Sequence, residues 1–408
     1  MRFSTLIWTV GLGAAILCQA APTKRNNGGQ NKGTTTYADC QRPKPQGQQL
    51  SSCPNGTVYV SQTDPQSSFG SIHDAVLSLP DDDSQQWILV GEGNYHEVVN
   101  VTRRGPLTIM GMTEDPQDYK KNLVKLWYSS FINQTTQTSS QDNADAVVLT
   151  VSPNRAASLI GVGPAGAPLQ PEFGNVDFRL YNVDVANRAT VNGKEFPGQT
   201  GPSAALLVAY ANASTYGSTF ASYQDTLFCG RNGSLFAYGG EVKGGTDFLY
   251  GFGTAWFEGV TMANRECRGA ITAWKGSSFL YGPDTFGVYQ SNGWVVRADD
   301  ALPDVDLTGS CALGRPWNNA SRSIYKNTYM SEVVLPAGFI EWQSTEPRLV
   351  PNLTFFGEYG SYGPGYKPDQ RNQTVGALLT EEEANQYTVE KVFGGMPSWI
   401  DLGTATIK

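Results

Sequence analysis

At 408 residues the chain is long enough for two or three ordinary domains or for one large one. Its 45 glycines, 11% aromatic and only 16% charged content, with little long 3.6-residue periodicity, favour a turn-rich β protein with few helices. A formal charge of −8 and the lack of any dense Lys/Arg patch argue against a nucleic-acid partner.

Residues 1–20, MRFSTLIWTVGLGAAILCQA, carry one early Arg, an apolar stretch from Leu6 to Leu17 and small residues near the end, as a cleaved secretory signal does. The apolar stretch is short of the ~20 residues a membrane span needs. No later segment reads as a span, so a secreted, extracellular chain with no membrane partner is expected. Residues 21–56 read as a polar leader, and APTKRNNGGQNKGTTTYADC within it as mobile. Removal of Cys18 with the signal leaves Cys40, Cys53, Cys229, Cys267 and Cys311, so at least one stays unpaired within a monomer. Cys40 and Cys53 enclose a short Pro- and Gln-rich segment and are expected to form a local disulfide; pairing among the other three is open. Eight Asn-x-Ser/Thr sequons begin at Asn55, Asn100, Asn133, Asn212, Asn232, Asn319, Asn352 and Asn372.

Further along, FGSIHDAVLSLP predicts a short helix ended by Pro80 and suited to cap a first coil. Similar β-prone wording then recurs: FRLYNVDVAN from Phe178, ASTYGSTF from Ala213, LFAYGGEV from Leu235, AWFEGVTMAN from Ala255 and SIYKNTYM from Ser323. Tyr216, Tyr238 and Phe257 set a period near 20, which with one strand per repeat predicts an all-β solenoid of stacked coils. Near the end, Thr380 followed by three glutamates predicts an N-cap and a helix to about Val392, closing the far end of the stack.

With only two histidines, His73 and His96, and no CxxC, neither a metal site nor a Ser-His-Asp triad is expected, and no cofactor is implied. The acids stand out instead. Asp225 in YQDTLFCG precedes Asp247 in GGTDFLYGFG by one coil, and adjacent coils stack about 4.8 Å apart. Two carboxylates so placed push one pKa up, giving one acid and one anion at the same pH. The competing reading makes both acids ordinary solvent-facing residues with an accidental spacing.

Five stretches decide between these readings: GNYHE (93–97), YQDTL (223–227), GGTDFLYG (244–251), LGRPW (313–317), and PAGFIEW through FGEYGSYGPG (336–365). In this order they resemble the pectin methylesterase family, over roughly Tyr59 to Ile400. The resemblance implies a right-handed parallel β-helix with short capping helices, occupying residues 57–408 as one catalytic domain. It also implies hydrolysis of the methyl esters of homogalacturonan by a secreted monomer, without metal or cofactor. Carried over by position, Asp247 is the nucleophile, Asp225 the general acid/base, Gln224 an oxyanion-stabilising amide and Arg315 the guanidinium that holds the nucleophile. Trp317, Tyr250 and Phe228 match sugar-contacting positions, whereas Tyr95 and Glu97 are expected to be structural.

One departure stands out. Where the family carries Gln-Ala-x-Ala-Leu, supplying a second oxyanion amide, this chain reads TGPSAALLVAY, with Thr200, Gly201 or Pro202 in its place. Gln199, Ser203 or a backbone N–H is expected to substitute. That gap raises one rival reading, an inactive pectin-binding relative; the paired carboxylates on a β-helix raise another, a glycoside hydrolase.

Overall fold

The computed structural model describes residues 37–161, 172–191, 194–195, 201–276 and 286–407. The expected secretory segment and the leader up to residue 36 lie outside them. Runs of three to five β-prone residues are too short to form sheets alone, and here each pairs with its counterpart on the next turn of the chain. One coil contributes strands 212–216, 219–221 and 227–229; the next contributes 234–238, 241–244 and 249–251; a third contributes 254–258, 261–264 and 270–274. Repetition builds three parallel sheets of eleven, eight and seven strands wound as an all-β parallel β-helix.

The recurrent wording marks a corner. Directly after the first strand of successive coils stands a residue with left-handed backbone: Asn182, Gly217, Gly239, Gly259, Asn292, Asn327 and Gly360, with φ between 48° and 64°. Only Gly, and Asn at modest cost, adopts this conformation readily. From Asn182 to Asn327 each corner N–H donates to the next coil, Asn182 to Tyr216 O, Gly217 to Tyr238 O and Gly239 to Glu258 O, so the corners form a hydrogen-bonded ladder of their own. The ladder also corrects the period. Tyr216, Tyr238 and Glu258 stand in one row on successive rungs, while Phe257 pairs with Ala237 and belongs to the opposite face.

Both ends are closed. The helix predicted before Pro80 is Ile72–Leu77, capped by Ser71, and the Glu97 carboxylate accepts from Ser71 Oγ and from the N–H groups of Ile72 and His73. Tyr95 is fully buried and donates to Gly91 O, so both residues of GNYHE are structural, as expected. At the C-terminal end Thr380 caps a helix as predicted, but that helix stops at Ala384 and a second, Val389–Val392, starts afresh from Thr388. Part of the expected leader is also folded: Tyr37–Gln41 is helical, Cys40 is buried, and the Gln41 side chain donates to Gly111 O and Asn182 Oδ1.

Cys40 and Cys53 are joined as expected, Cys267 pairs with Cys311, and Cys229 is the buried free thiol. Of the eight sequons, Asn212 begins a strand, is half-buried and donates through Nδ2 to Val176 O; the other seven asparagines are exposed.

Neighbouring glycines test the corner. A Cβ on Gly239 meets no atom within 4 Å, so Gly239→Ala should cost only the left-handed backbone, about 1–2 kcal/mol. A Cβ on Gly240 would lie 2.1 Å from Ser218 O, so Gly240→Ala should cost more than twice as much. Urea midpoints at unchanged m-value measure both.

Candidate active site

Strand 227–229 and strand 249–251 are adjacent in the third sheet, with Phe228 opposite Tyr250. The residues leading into them align as well. Gln224 bridges to Thr246, the Asp225 N–H donates to Thr246 O at 3.0 Å, and the Asp247 N–H donates to Ala270 O at 2.7 Å. Asp225 and Asp247 therefore occupy equivalent places on neighbouring rungs. Both have left-handed backbone, φ 60° and 48°, a conformation unusual for a residue other than glycine and one that collects at functional sites.

Leu206, Leu227 and Leu249 point into the core of the helix, and the alternate residues face outward. One outward row runs Leu207, Phe228, Tyr250, Ala273, Arg315 along five rungs. Arg315 reaches back past Ala273 to Asp247, donating from Nε to Oδ1 at 2.9 Å and from Nη2 to Oδ2 at 2.6 Å; the Ala270 N–H adds a third donor at 3.1 Å. A two-pronged guanidinium fork both neutralises and orients a carboxylate. Its passage needs small neighbours: a Cβ on Gly269 would stand 2.7 Å from Asp247 Oδ1 and 3.1 Å from Arg315 Nη2.

Asp225 is 7% exposed, and its carboxyl makes no hydrogen bond to a described residue. Burial, and then the charge of Asp247, push its pKa well above the usual carboxylate range, with Arg315 opposing. The pair thus has the asymmetry expected of one acid and one anion.

Gln224, Asp225, Asp247, Tyr250, Arg315 and Trp317 line one cleft of about 380 Å³. Tyr250 is nearly buried, and its hydroxyl finds no partner among the described residues. Trp317 is half-buried, with its ring 5.8 Å from that of Tyr250. Phe228 is different: it is fully buried, packs against Tyr250 at 4.7 Å between ring centroids, and supports the wall from behind rather than facing the cleft. The two side chains expected to substitute in the oxyanion site fare differently. Gln199 lies outside the described residues. Ser203 is fully buried, with its hydroxyl against Ser222 Oγ and Gln224 O and its N–H donated to Gln224 O.

Three features escaped the sequence reading. Trp342, within PAGFIEW, lies between the guanidinium groups of Arg315 and Arg348, 4.1 and 4.3 Å from its ring. Lys275 is buried with Nζ 3.8 Å over the Trp317 ring, and burial together with nearby Arg231 pushes its pKa down to about 7. The loop that carries Gln134, Gln137, Gln141, Asp142 and Asn143 forms the far wall. Trp342 stands in a motif the sequence displays but had no role assigned; Lys275 and the loop carry no sequence signal, since each acts through contacts with distant coils. A larger cavity, about 650 Å³, lies near Val76, Arg103 and Glu172 and contains neither member of the acid pair.

Two substitutions test this geometry. Below about 3.8 the Asp225 carboxyl is protonated whether the chain is folded or not. As pH rises from there the unfolded chain releases this proton first, which disfavours the folded state. Asp225→Asn should therefore melt higher than the parent by a margin that grows from pH 4 to pH 7, read from Tm at each pH. Gly269→Ala should leave a cooperative melt but displace the fork and lower ester hydrolysis roughly 10- to 100-fold, measured as kcat.

Comparisons with known proteins agree with this architecture. The family model described as Pectinesterase matches residues 186–396. A probable pectinesterase A from Neosartorya fischeri is 28% identical over 362 residues, covering 86% of this chain and 90% of the relative. Pectinesterase A from Emericella nidulans is 27% identical over 355 residues, again covering 86% and 90%. Among solved structures, a pectin methylesterase from Aspergillus niger superposes with a TM-score of 0.67 at 24% identity, over 86% of this chain and 98% of its own. The carrot pectin methylesterase gives 0.66 at 18%, over 87% and 97%. The match in fold extends to the right-handed winding of the parallel β-helix.

Proposed function

From the premise that the chain belongs to the pectinesterase family, and is an enzyme that removes methyl esters from pectin, we propose that it works through an aspartyl acyl-enzyme formed on Asp247. The observation that carries this reading is the Arg315 fork on Asp247, one rung from a buried, proton-retaining Asp225 in the same cleft.

Asp247, held as the anion, attacks the C6 carbonyl carbon of a methylated galacturonate unit. The carbonyl π electrons move to oxygen, and the Gln224 side-chain amide, half-buried in the cleft, donates to the resulting oxyanion. Collapse of the tetrahedral intermediate breaks the C–OCH3 bond, Asp225 supplies the proton, and methanol leaves an anhydride on Asp247. Asp225, now the base, takes a proton from water as it attacks the same carbon. Breakdown of the second intermediate restores the Asp247 anion and frees the galacturonic acid, which loses its proton to solvent.

Tyr250 and Trp317 offer ring faces to the apolar sides of pyranose rings, and the unpartnered Tyr250 hydroxyl suits a sugar hydroxyl. A related pectin methylesterase structure contains a bound hexasaccharide, which fits an extended oligosaccharide in this cleft. The two disulfides and the fungal relatives favour an extracellular setting, with pectin of the cell wall as substrate. The chain acts as a monomer in this reading.

Asp247→Ala should retain a cooperative melt and lose methanol release from highly methylated pectin entirely. The parent should release methanol and acidify the medium without producing new reducing ends. Near-normal methanol release by Asp247→Ala would sink the mechanism, and reducing ends from the parent would point instead to chain cleavage.

A further inference from the structure

We propose that Gln134 supplies the second oxyanion amide, taking over from across the cleft the place left by Pro202. The inference rests on the acyl-enzyme reading above, because an oxyanion must form beside Asp247.

A developing oxyanion with a single side-chain donor forgoes a large share of the stabilisation such sites provide. Beside Gln224, neither Pro202 nor Ser203 offers a replacement donor. Pro202 has neither an amide side chain nor an N–H. The Ser203 N–H is donated to Gln224 O, and the Ser203 hydroxyl is enclosed between Ser222 and the Gln224 carbonyl.

The loop from Ile132 packs against the segment of Pro202. The Ile132 N–H donates to Pro202 O at 2.9 Å, which pins the loop against residues 201–202 on the side away from Gln224. Gly201, lacking a side chain, leaves room for it: a Cβ there would lie 2.1 Å from Ile132 O and 3.6 Å from Gln134 Cγ. Gln134 thereby stands beside the empty place and lines the same cleft as Gln224, Asp225 and Asp247.

Several other polar groups of the loop are already engaged. The Gln137 Nε2 donates to Gln141 O, and the Gln141 side-chain oxygen accepts from the Thr138 N–H. The Asp142 carboxylate accepts from the N–H groups of Ala144, Ile160 and Gly161. The Gln134 amide makes no hydrogen bond to a described residue, and like that of Gln224 it is available to a ligand. A donor recruited from a separate loop keeps the ester carbonyl between two amides, as the chemistry requires, although the strand position that faces it has become proline.

Initial rates on highly methylated pectin test this with the full-length secreted protein. Gln134→Ala, which preserves the Asn133 sequon, should lower kcat by 10²- to 10³-fold with KM within about threefold. Gln134→Glu, nearly the same shape but with oxygen in place of the donor, should fall at least as far. A Gln134→Ala rate within threefold of the parent, a loss confined to KM, or recovery of rate in Gln134→Glu would each overturn the assignment while Asp247→Ala stays silent. Turnover persisting in Asp247→Ala would bring down the acyl-enzyme reading and this one with it.

Discussion

Two carboxylates on adjacent rungs of a nearly dry wall are stable together only if one is matched by a cation and the other keeps its proton. The Arg315 fork meets the first condition and the burial of Asp225 the second. Such an arrangement is not a device for stability, because a buried ion pair recovers little more than the desolvation it costs. Its value is orientation, since the fork and the Ala270 N–H leave the Asp247 carboxylate few ways to turn. Everything near it serves that end: Ala273 and Gly269 keep the guanidinium's path open, and the ring of Trp342 lies against its face.

Parallel stacking supplies the accuracy. In a sheet whose strands repeat coil after coil, a residue's height is set by its rung and its side by the alternation of the strand. The corner ladder of Asn and Gly shows how the fold holds left-handed residues at no great cost. At Asp225 and Asp247 the same backbone conformation is imposed on aspartate, and the hydrogen bonds to Thr246 and Ala270 from the next rung hold it there. The wall behind is built as firmly, with Phe228 buried under Tyr250, and Lys275 under Trp317.

The far end of the helix repeats the lesson in a purely structural setting. Within FGEYG, Glu358 is buried against Arg371 at 3.2 Å, and Arg371 also donates to Leu335 O and Pro336 O. A motif quoted for its family likeness thus turns out to tie the last coils to the loop that closes them. Its acid has a cation and a place, but it lies outside the cleft lined by Asp225 and Asp247.

Local chemistry and period were legible in the chain itself. The solenoid, the 22-residue step from Asp225 to Asp247, the Cys40–Cys53 loop and the Thr380 cap all depend on neighbours close in sequence or on a repeat that sequence displays. The family motifs added Arg315, whose partner is 68 positions away, because likeness carries contacts that spacing cannot. What tertiary structure alone decided concerns groups from unrelated segments meeting at one point. It buried Phe228 behind Tyr250 and enclosed Ser203, moved Phe257 off the expected row, split the last helix, and paired Cys267 with Cys311. It also carried the loop of Gln134 to Gly201. A one-residue change of register sends a side chain to the opposite face, and an irregular loop has no period to read, so these outcomes were set by packing between coils rather than by any local pattern.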